Sequence, residues 1–203
     1  MRNKIKTLAA DLLTRNGYAG FRFQDLADAL GVTRASIHYH FSGKSALCEE
    51  VILDGLADAK ANYEKILTHG ERSFEERVKV IIELNKERYL KYNPTGRTGH
   101  PWALISRIRL EQSDLRSVVQ TGLVDFRRSL LRSIGKGIEM SVARGELKKD
   151  TPVKSLSLLL VAIINSSDAT TRDTRSFDAL EELYLSYLNV VLTAYGSSRS
   201  IEE

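Results

Sequence analysis

A short run of polar and small residues near the N-terminus has the chemistry needed to contact nucleic acid. Helical spacing over residues 33–41 places Ile37 and Phe41 on one side and the polar side chains on the other. A serine hydroxyl can donate to or accept from a base edge, and a tyrosine hydroxyl can reach a phosphate. The residues predicted to contact DNA are Thr33, Arg34, Ala35, Ser36, His38, Tyr39 and Lys44.

Three of these residues have further specific roles. Ala35 is small enough for close approach to a thymine methyl group, and the long side chain of Arg34 can reach a guanine edge or a phosphate. Lys44 lies near the predicted start of the next helix, where a cation and free backbone amides together would clamp a phosphate. Arg2, Lys4 and Lys6, at the start of the first helix, could also reach the DNA backbone.

Two short helices and a tight turn must position this face. Apolar residues recur at helical spacing up to Leu30, the pattern breaks at Gly31, and it resumes from Val32. Gly31 can adopt a positive φ, and the hydroxyl of Thr33 can cap the second helix by accepting from the amide of Ala35 or Ser36. A packed helix pair without DNA contacts is the alternative, but the cap and the uncovered polar face favour DNA binding.

The segment LADALGVTRASIHYHFSGKSAL, preceded by a helix that ends in NGY, resembles the DNA-binding domain of TetR-family transcriptional repressors over about residues 1–60. The resemblance implies a helix-turn-helix fold, a dimer, and an effector that changes the separation of the two DNA-binding domains. Two positions depart from the family pattern. Arg22 stands where Ser or Thr is usual and cannot cap a helix in that manner. His38 replaces a Tyr and either alters the phosphate contact or fills the same niche.

Composition and charge agree with a DNA-binding globular protein. The chain has 203 residues, of which 42% are hydrophobic and 28% charged, enough for one large or two small cores. Residues 1–45 hold seven Lys/Arg and three Asp, so the whole net charge of +4 lies there and the remaining charges cancel. Attraction to DNA phosphates requires excess positive charge in the segment that contacts DNA. The alternative is that small domains often carry a few surplus lysines without binding DNA.

Several protein classes are disfavoured by the sequence. There is no run of 18 apolar residues and the N-terminus is amphipathic, so we expect a cytoplasmic protein without membrane contact. A lone Cys48 excludes an internal disulfide, and the four His have no metal-ligand spacing. No paired carboxylates, catalytic triad or nucleotide motif is found, so we predict neither an enzyme nor a cofactor.

The periodicity predicts helices throughout and no strands, hence an all-α fold. We expect an N-terminal three-helix helix-turn-helix domain over residues 1–46, a larger helical effector-binding and dimerisation domain over 47–196, and a polar tail over 197–203. The first helix should cover 2–16 and end at Gly17. A long helix should run from Lys44 to about Ile66, with Gly55 marking either a bend or a close helix crossing.

Later helix boundaries follow from caps and loops. Ser73 caps one helix, the Pro/Gly-rich segment 93–101 is a loop, and Trp102 to Leu110 reads as a short helix. The next helix should open at Ser113 or Asp114 and end near Arg144. Residues 150–152 begin another helix, apolar on nearly all sides, and Ser176 starts the last one. The two final helices predict a homodimer through a four-helix arrangement, unless they only complete the core of one subunit.

The larger domain is predicted to hold a small-molecule effector among its helices. The candidate lining residues are Tyr89, Tyr92, Trp102, Ile105, Arg109, Phe126, Leu130 and Asn165. An arginine cluster near this region would favour an acidic effector if one member were buried, whereas solvated, ion-paired helix faces are the alternative; its members are Arg97, Arg107, Arg109, Arg127 and Arg128.

Three functions remain open at this point. The first is a repressor that leaves a palindromic double-stranded DNA operator when the effector binds. The second is an effector-independent architectural or adaptor protein with the same DNA-binding helix. The third is an all-helical enzyme or lipid carrier, which would need a large apolar cavity.

Overall fold

The computed structural model describes residues 1–111, 113 and 115–197. In these ranges the chain forms nine α-helices: α1 (Arg2–Gly20), α2 (Phe23–Leu30), α3 (Arg34–His40), α4 (Lys44–Thr68), α5 (Phe74–Tyr92), α6 (Leu104–Leu110), α7 (Ser117–Ala143), α8 (Val153–Thr174) and α9 (Asp178–Tyr195). The extended pairing seen over the same ranges is an isolated bridge between Leu147 and Gly196. The predicted all-α fold, with a helix-turn-helix unit followed by a larger helical domain, is confirmed.

The turn between α2 and α3 forms as its residue types require. Gly31 has φ of 64°, in the left-handed region, and the amide of Val32 donates to the carbonyl of Ala27 over 3.0 Å. Thr33 Oγ1 accepts from the amide of Ser36 over 3.2 Å, the cap predicted from the sequence. Ile37 is fully buried and most of the other α3 side chains are exposed, so α3 packs through one side only, with α2 as a neighbour.

The first helix is longer than predicted. Gly17 has φ of 72° and ψ of 179°, so it interrupts the regular helix where the sequence placed its end. The chain then turns helically again through Gly20 before α2 begins. The expected end at Gly17 is therefore correct for the continuous segment, and the residues after it form an additional turn against α6.

The long helix α4 connects the two parts of the chain without interruption and packs mainly against α7. A Cβ at Gly55 would lie 3.1 Å from Leu104, so this glycine marks a close approach of α6 and not a bend. Gly137 of α7 lies against the backbone of Leu67 at the far end of α4. The predicted domain boundary at residue 46 falls inside α4, near its start.

Three helix starts differ from the prediction, and for α6 and α9 a hydrogen bond to a side chain accompanies the difference. α6 begins at Leu104 and not at Trp102, since the amides of Trp102 and Ala103 donate to the buried carboxylate of Asp168. α7 begins at Ser117, after Ser113; Asp114 lies outside the described residues. α9 begins at Asp178, whose amide donates to the hydroxyl of Ser176 over 3.1 Å.

The last two helices each leave one apolar face uncovered in the single chain. One face of α8 and one of α9 pack in the core, but the other face of each is open to solvent in the single chain. Leu159 of α8 is 55% exposed and Val190 of α9 is 61% exposed.

Two further expectations concern the polar C-terminal tail and membrane-spanning helices. The polar tail predicted over 197–203 lies outside the described residues except for Ser197. Within the part of the chain that the structure describes, none of the helices has both the length and the apolar character to cross a bilayer.

Candidate nucleic-acid interface and ligand cavity

The outer face of α3 is open to solvent. Tyr39 is 87% exposed and contacts only the edge of the His40 ring, with centroids 5.2 Å apart. Arg34, Ala35, Ser36 and His38 are exposed as well. An exposed aromatic ring contributes little hydrophobic stabilisation to the fold, so the position of Tyr39 suits contact with a partner.

The two hydroxyls at the start of α3 contact each other. Ser36 Oγ lies 3.0 Å from Thr33 Oγ1, which also accepts from the Ser36 amide. Thr33 therefore acts primarily as the cap of α3. Ser36 remains exposed and keeps hydrogen-bonding capacity for a base edge, since a hydroxyl has one donor and two acceptor sites.

The two departures from the family pattern have clear surroundings. Arg22 precedes α2 without capping it, and its guanidinium instead pairs with Asp25 in the first turn of that helix. A carboxylate in the first turn itself stabilises the helix start. The His38 ring lies 5.0 Å from the ring of Phe23, so it covers part of the core while remaining exposed.

Lys44 is held at the start of α4, half-buried beside the end of α1. Its Nζ lies 4.7 Å from the centroid of the Tyr18 ring and 3.4 Å from the carbonyl of Ala19. No side chain caps α4, whose N-cap is Gly43. The prediction of a phosphate contact involves the first amides of α4 and the Lys44 ammonium, and it stays a prediction.

The positive charge of the N-terminal region is partly neutralised within the fold. Arg2 and Lys6 both pair with Glu50 of α4, and Lys6 also pairs with Asp54. Their hydrogen bonds lower the pKa of Glu50 to about 2. These two residues therefore fasten α1 to α4, so the idea that they reach the DNA backbone does not fit this arrangement. Lys4, exposed, forms no ion pair with any described residue.

A cavity of about 400 Å³ lies between α1, α4, α5, α6, α7 and α8. Six of the candidates named from the sequence line it: Tyr92, Trp102, Ile105, Arg109, Phe126 and Asn165. Tyr89 and Leu130 do not. The Tyr89 hydroxyl donates to the carbonyl of Thr98 and fastens the Pro/Gly loop, whereas Leu130 is buried in the core.

Sequence reasoning missed several lining residues, among them Thr14, Asp58, Tyr63, Asn85, Arg88 and Lys91. One signal could have found three members of the lining. Asn85, Arg88 and Tyr92 recur at spacings of three and four along α5, which puts a polar stripe on one helix face. Asn85 is buried and donates to the Tyr184 hydroxyl over 2.8 Å.

Arg109 is the one member of the predicted arginine cluster that lines this cavity. Its Nη1 donates to Asn165 Oδ1, while its Nη2 is shielded from solvent and has no hydrogen-bond partner among the described residues. Desolvation, and then the nearby charge of Arg127, lower the pKa of Arg109. Arg107 and Arg128 instead pair with Glu111 and Asp125, as the ion-paired alternative predicted.

A polar link joins α6 to the break in α1 and was not foreseen. The carboxylate of Glu111 accepts from the amides of Tyr18 and Ala19, the latter over 3.3 Å. Arg107 pairs with Glu111 and donates to the carbonyl of Asn16 over 3.3 Å. A Cβ at Gly17 would overlap both side chains, so the absence of a side chain there permits the contact. The cavity wall and the Lys44 site are therefore connected through one turn of α1.

Taken together, the tight turn, the capped and exposed α3, and the helical domain behind it define a helix-turn-helix protein. The family model described as bacterial regulatory proteins, tetR family, matches residues 5–51, which contain the helix-turn-helix. The resemblance drawn from the sequence is thereby confirmed.

Individual relatives agree with this assignment. Over 69 residues the chain is 29% identical to the HTH-type transcriptional repressor KstR2 of Rhodococcus jostii, an alignment that covers 34% of each protein. The chain thus matches about a third of that relative's length. A TetR-family regulator from Agrobacterium tumefaciens has a TM-score of 0.81 at 19% identity, covering 94% of this chain and 96% of its own.

A third similar structure is a putative transcriptional regulator from Saccharomonospora viridis in complex with choline. Its TM-score is 0.73 at 19% identity, and the match covers 97% of each chain. The fold is therefore shared over nearly the whole length, beyond the segment matched by the family model. The curated relative is named as a repressor and not as an enzyme, in agreement with the prediction from the sequence.

Proposed function

We propose that this protein is a transcriptional repressor that binds a palindromic operator as a homodimer and leaves it when a small-molecule effector occupies the cavity. The observation that carries the proposal is the exposed face of α3, from Arg34 to Tyr39, beside the Lys44 site. A helix of this kind enters the major groove with its exposed side chains toward the base edges, while a cation at a helix start holds a phosphate.

The cavity supports a ligand-responsive regulator over an effector-independent DNA-binding protein. A volume of about 400 Å³ is within the range of small-molecule sites, roughly 300–1,000 Å³. The similar Saccharomonospora viridis structure holds choline, so this fold can accommodate a small ligand. An effector acts only through its different affinity for two arrangements of the domains.

The link through Glu111 and Arg107 offers a route for that effect. A ligand that moves α6 would pull on the amides of Tyr18 and Ala19, the same two residues whose ring and carbonyl contact Lys44. In a dimer, a small rotation of each DNA-binding domain changes the separation of the two α3 helices. The dimer would then no longer match successive major grooves about 34 Å apart.

The homodimer is supported by the apolar faces left open on α8 and α9. Each carries large aliphatic side chains that a single subunit does not cover: Leu158, Leu159, Leu183, Leu185 and Val190. Two copies of such a helix pair would bury them in a four-helix arrangement related by a twofold axis. Twofold symmetry in turn requires a palindromic DNA site.

Electrophoretic mobility shift of a palindrome near the protein's own gene tests the proposal. We expect the wild-type protein to shift this DNA, and Tyr39→Ala and Lys44→Ala to abolish the shift while the dimer persists. Lys79→Ala is the matched control, since Lys79 is exposed on α5, far from α3 in sequence, and pairs only with Glu75. Affinity should fall roughly a thousandfold or more between 50 and 200 mM salt. A flat salt response contradicts the proposal.

Base preference separates the roles within the interface. Lys44→Ala should weaken binding to all sequences alike, because phosphates carry no sequence information. Ser36→Ala or Arg34→Ala should instead change which operator variants are preferred, measured by competition with a set of single-base variants. If both leave the preference untouched, the bases are read by other residues.

A further inference from the structure

The cavity contains a cation that the fold leaves incompletely paired. Asn165 occupies Nη1 of Arg109, but Nη2 has no acceptor although solvent cannot reach it. No carboxylate of a described residue lies within ion-pair distance of this guanidinium. A buried donor without an acceptor lowers the stability of the fold, and a buried charge without a counter-charge lowers it more. An arginine that only supported the fold would therefore not be expected at position 109.

The other charged groups of the cavity add to the positive potential. Arg88 of α5 lines it together with Arg109. Lys91 lines it too, but it is exposed and pairs with Asp11, and Asp58 is the one acidic residue of the lining. Asp58 is exposed, so water screens it more than it does the half-buried arginines. The nearby Arg127 repels Arg109 further. The net effect is a cavity that attracts anions.

Resting on the proposed function, we propose that the effector is an organic carboxylate whose carboxyl group binds the Arg109 guanidinium, with a rotation of this side chain that turns the shielded Nη2 toward the cavity and completes the pairing that Asn165 begins. The carboxylate is favoured over a doubly charged phosphate group because Arg109 is the one described cation of the lining that has a solvent-shielded donor without an acceptor, and one guanidinium balances a single negative charge. A carboxylate is deprotonated at neutral pH and forms short, charge-assisted hydrogen bonds with a guanidinium.

The rest of the lining indicates the body of this ligand. Trp102, Ile105 and Phe126 offer apolar surface, and the Phe126 centroid lies 6.0 Å from the Arg109 guanidinium carbon. A carboxyl group bound at Arg109 would therefore carry its aliphatic or aromatic portion directly against these side chains. The ligand class is an amphipathic monocarboxylate, small enough for a cavity of about 400 Å³.

Matched probes that differ only in the head group test the inference. Titration calorimetry on the full-length protein would compare octanoate with octan-1-ol and octylamine, and 3-phenylpropanoate with its alcohol and amine. We expect at least one carboxylate to bind at least about tenfold more tightly than its alcohol, from one hydrogen bond to a charged group. The amines should not bind. Arg109→Gln should remove the preference, whereas Arg128→Gln, an equal change of charge outside the cavity, should keep it.

The melting temperature of Arg109→Gln without ligand shows whether Arg109 serves ligand binding or stabilises the fold. If Arg109 awaits an anion, Arg109→Gln should leave the melting temperature unchanged or raise it, because an unpaired buried charge is removed. A lower melting temperature, equal binding of alcohols or amines, or no binding of either carboxylate overturns the inference. Failure of the proposed function is separate: wild-type protein without any probe would then not bind operator DNA.

Discussion

Tyr39 and Lys44 are both predicted to contact DNA, but the fold leaves the Tyr39 side chain free and holds the Lys44 side chain in place. Tyr39 stands in solvent with only an edge contact to His40, so its side chain is free to adjust. Lys44 is fixed by the Tyr18 ring and the Ala19 carbonyl before any DNA is present. An ordered ammonium loses less side-chain entropy on binding a phosphate than a free one does. Their contact with DNA stays a prediction for both.

Cys48 is a residue to which no functional role is assigned. It is buried in α4, and desolvation raises the pKa of its thiol to about 12. The thiolate is the nucleophilic form, so this cysteine is inert at neutral pH. The lone cysteine therefore serves as a core residue.

Glu50 gives a pH-dependent contribution to stability. Because Arg2 and Lys6 hold its folded pKa at about 2, below the usual value near 4.3, the ion pairs stabilise the fold above the unfolded pKa. That contribution is lost as pH falls toward 2. Glu50→Gln should lower stability at pH 7 by about 1 kcal/mol, since solvent screens the pairs, and the gap to wild type should close at acidic pH.

Thermal unfolding at a series of pH values measures this difference. The control is Glu64→Gln, an exposed carboxylate on the same helix with no ion pair to any described residue. A gap for Glu50→Gln that stays constant from pH 7 to pH 3 would show that Glu50 makes no specific pair.

At the scale of elements, close packing of α4 and α7 depends on a glycine. A Cβ at Gly137 would lie 2.8 Å from the carbonyl oxygen of Leu67, which is backbone and cannot rotate away. Gly137→Ala should therefore push the helices apart and cost about 1–3 kcal/mol, as other overpacked cores do. Chemical denaturation measures the loss.

Gly135 supplies a control on the same helix. Its Cβ would meet side-chain atoms at 3.6 Å or more, an ordinary contact distance. Gly135→Ala should stabilise the protein by about 0.5–1 kcal/mol, because alanine favours the helix. Equal effects of the two substitutions would rule out steric packing at Gly137 as the cause.

Side chains of the short helix α6, and of Glu111 at its end, reach two separate sites, the cavity and the break in α1. Arg109 faces the cavity, while Arg107 and Glu111 reach the break in α1. Residues two apart point in different directions on a helix, so one rigid element contacts both sites. Movement of α6 is the simplest connection between ligand and DNA.

Glu111→Gln tests this connection. A neutral amide accepts less strongly than a carboxylate, so the amides of Tyr18 and Ala19 should exchange hydrogen faster. The effect of a bound ligand on operator affinity, typically worth about 1–3 kcal/mol in coupled systems, should shrink. Glu139→Gln, exposed on α7, is the control. Unchanged exchange at both amides would exclude Glu111 as the link.

At the scale of the whole molecule, the proposed dimer depends on the apolar faces of α8 and α9. A stable interface buries about 800 Å² per subunit, so one buried charge at its centre should disrupt it. Leu159→Glu should convert the dimer to monomers of 22.8 kDa and weaken operator binding. Sedimentation equilibrium measures the mass. Leu90→Glu, on an exposed position of α5, should leave the dimer intact; dissociation by both would point to general unfolding.

Local signals made the helix-turn-helix unit and one helix start in the larger domain predictable from the sequence. The Gly31 turn, the Thr33 cap and the Ser73 capping box all join residues within a few positions of each other. Such contacts form wherever the local residue types are right, so the sequence determines them. Helical periodicity likewise placed Ile37 inside and Tyr39 outside.

Only the tertiary structure decided how distant residues combine. Arg109 meets Asn165 across 56 positions, and Glu111 meets Tyr18 across 93. Periodicity alone did not show that Tyr89 fastens a loop while Arg109 lines a cavity, because both lie on amphipathic helices. Burial and pairing of a polar side chain depend on which helices pack together, and that is set by the whole core and not by neighbours in sequence.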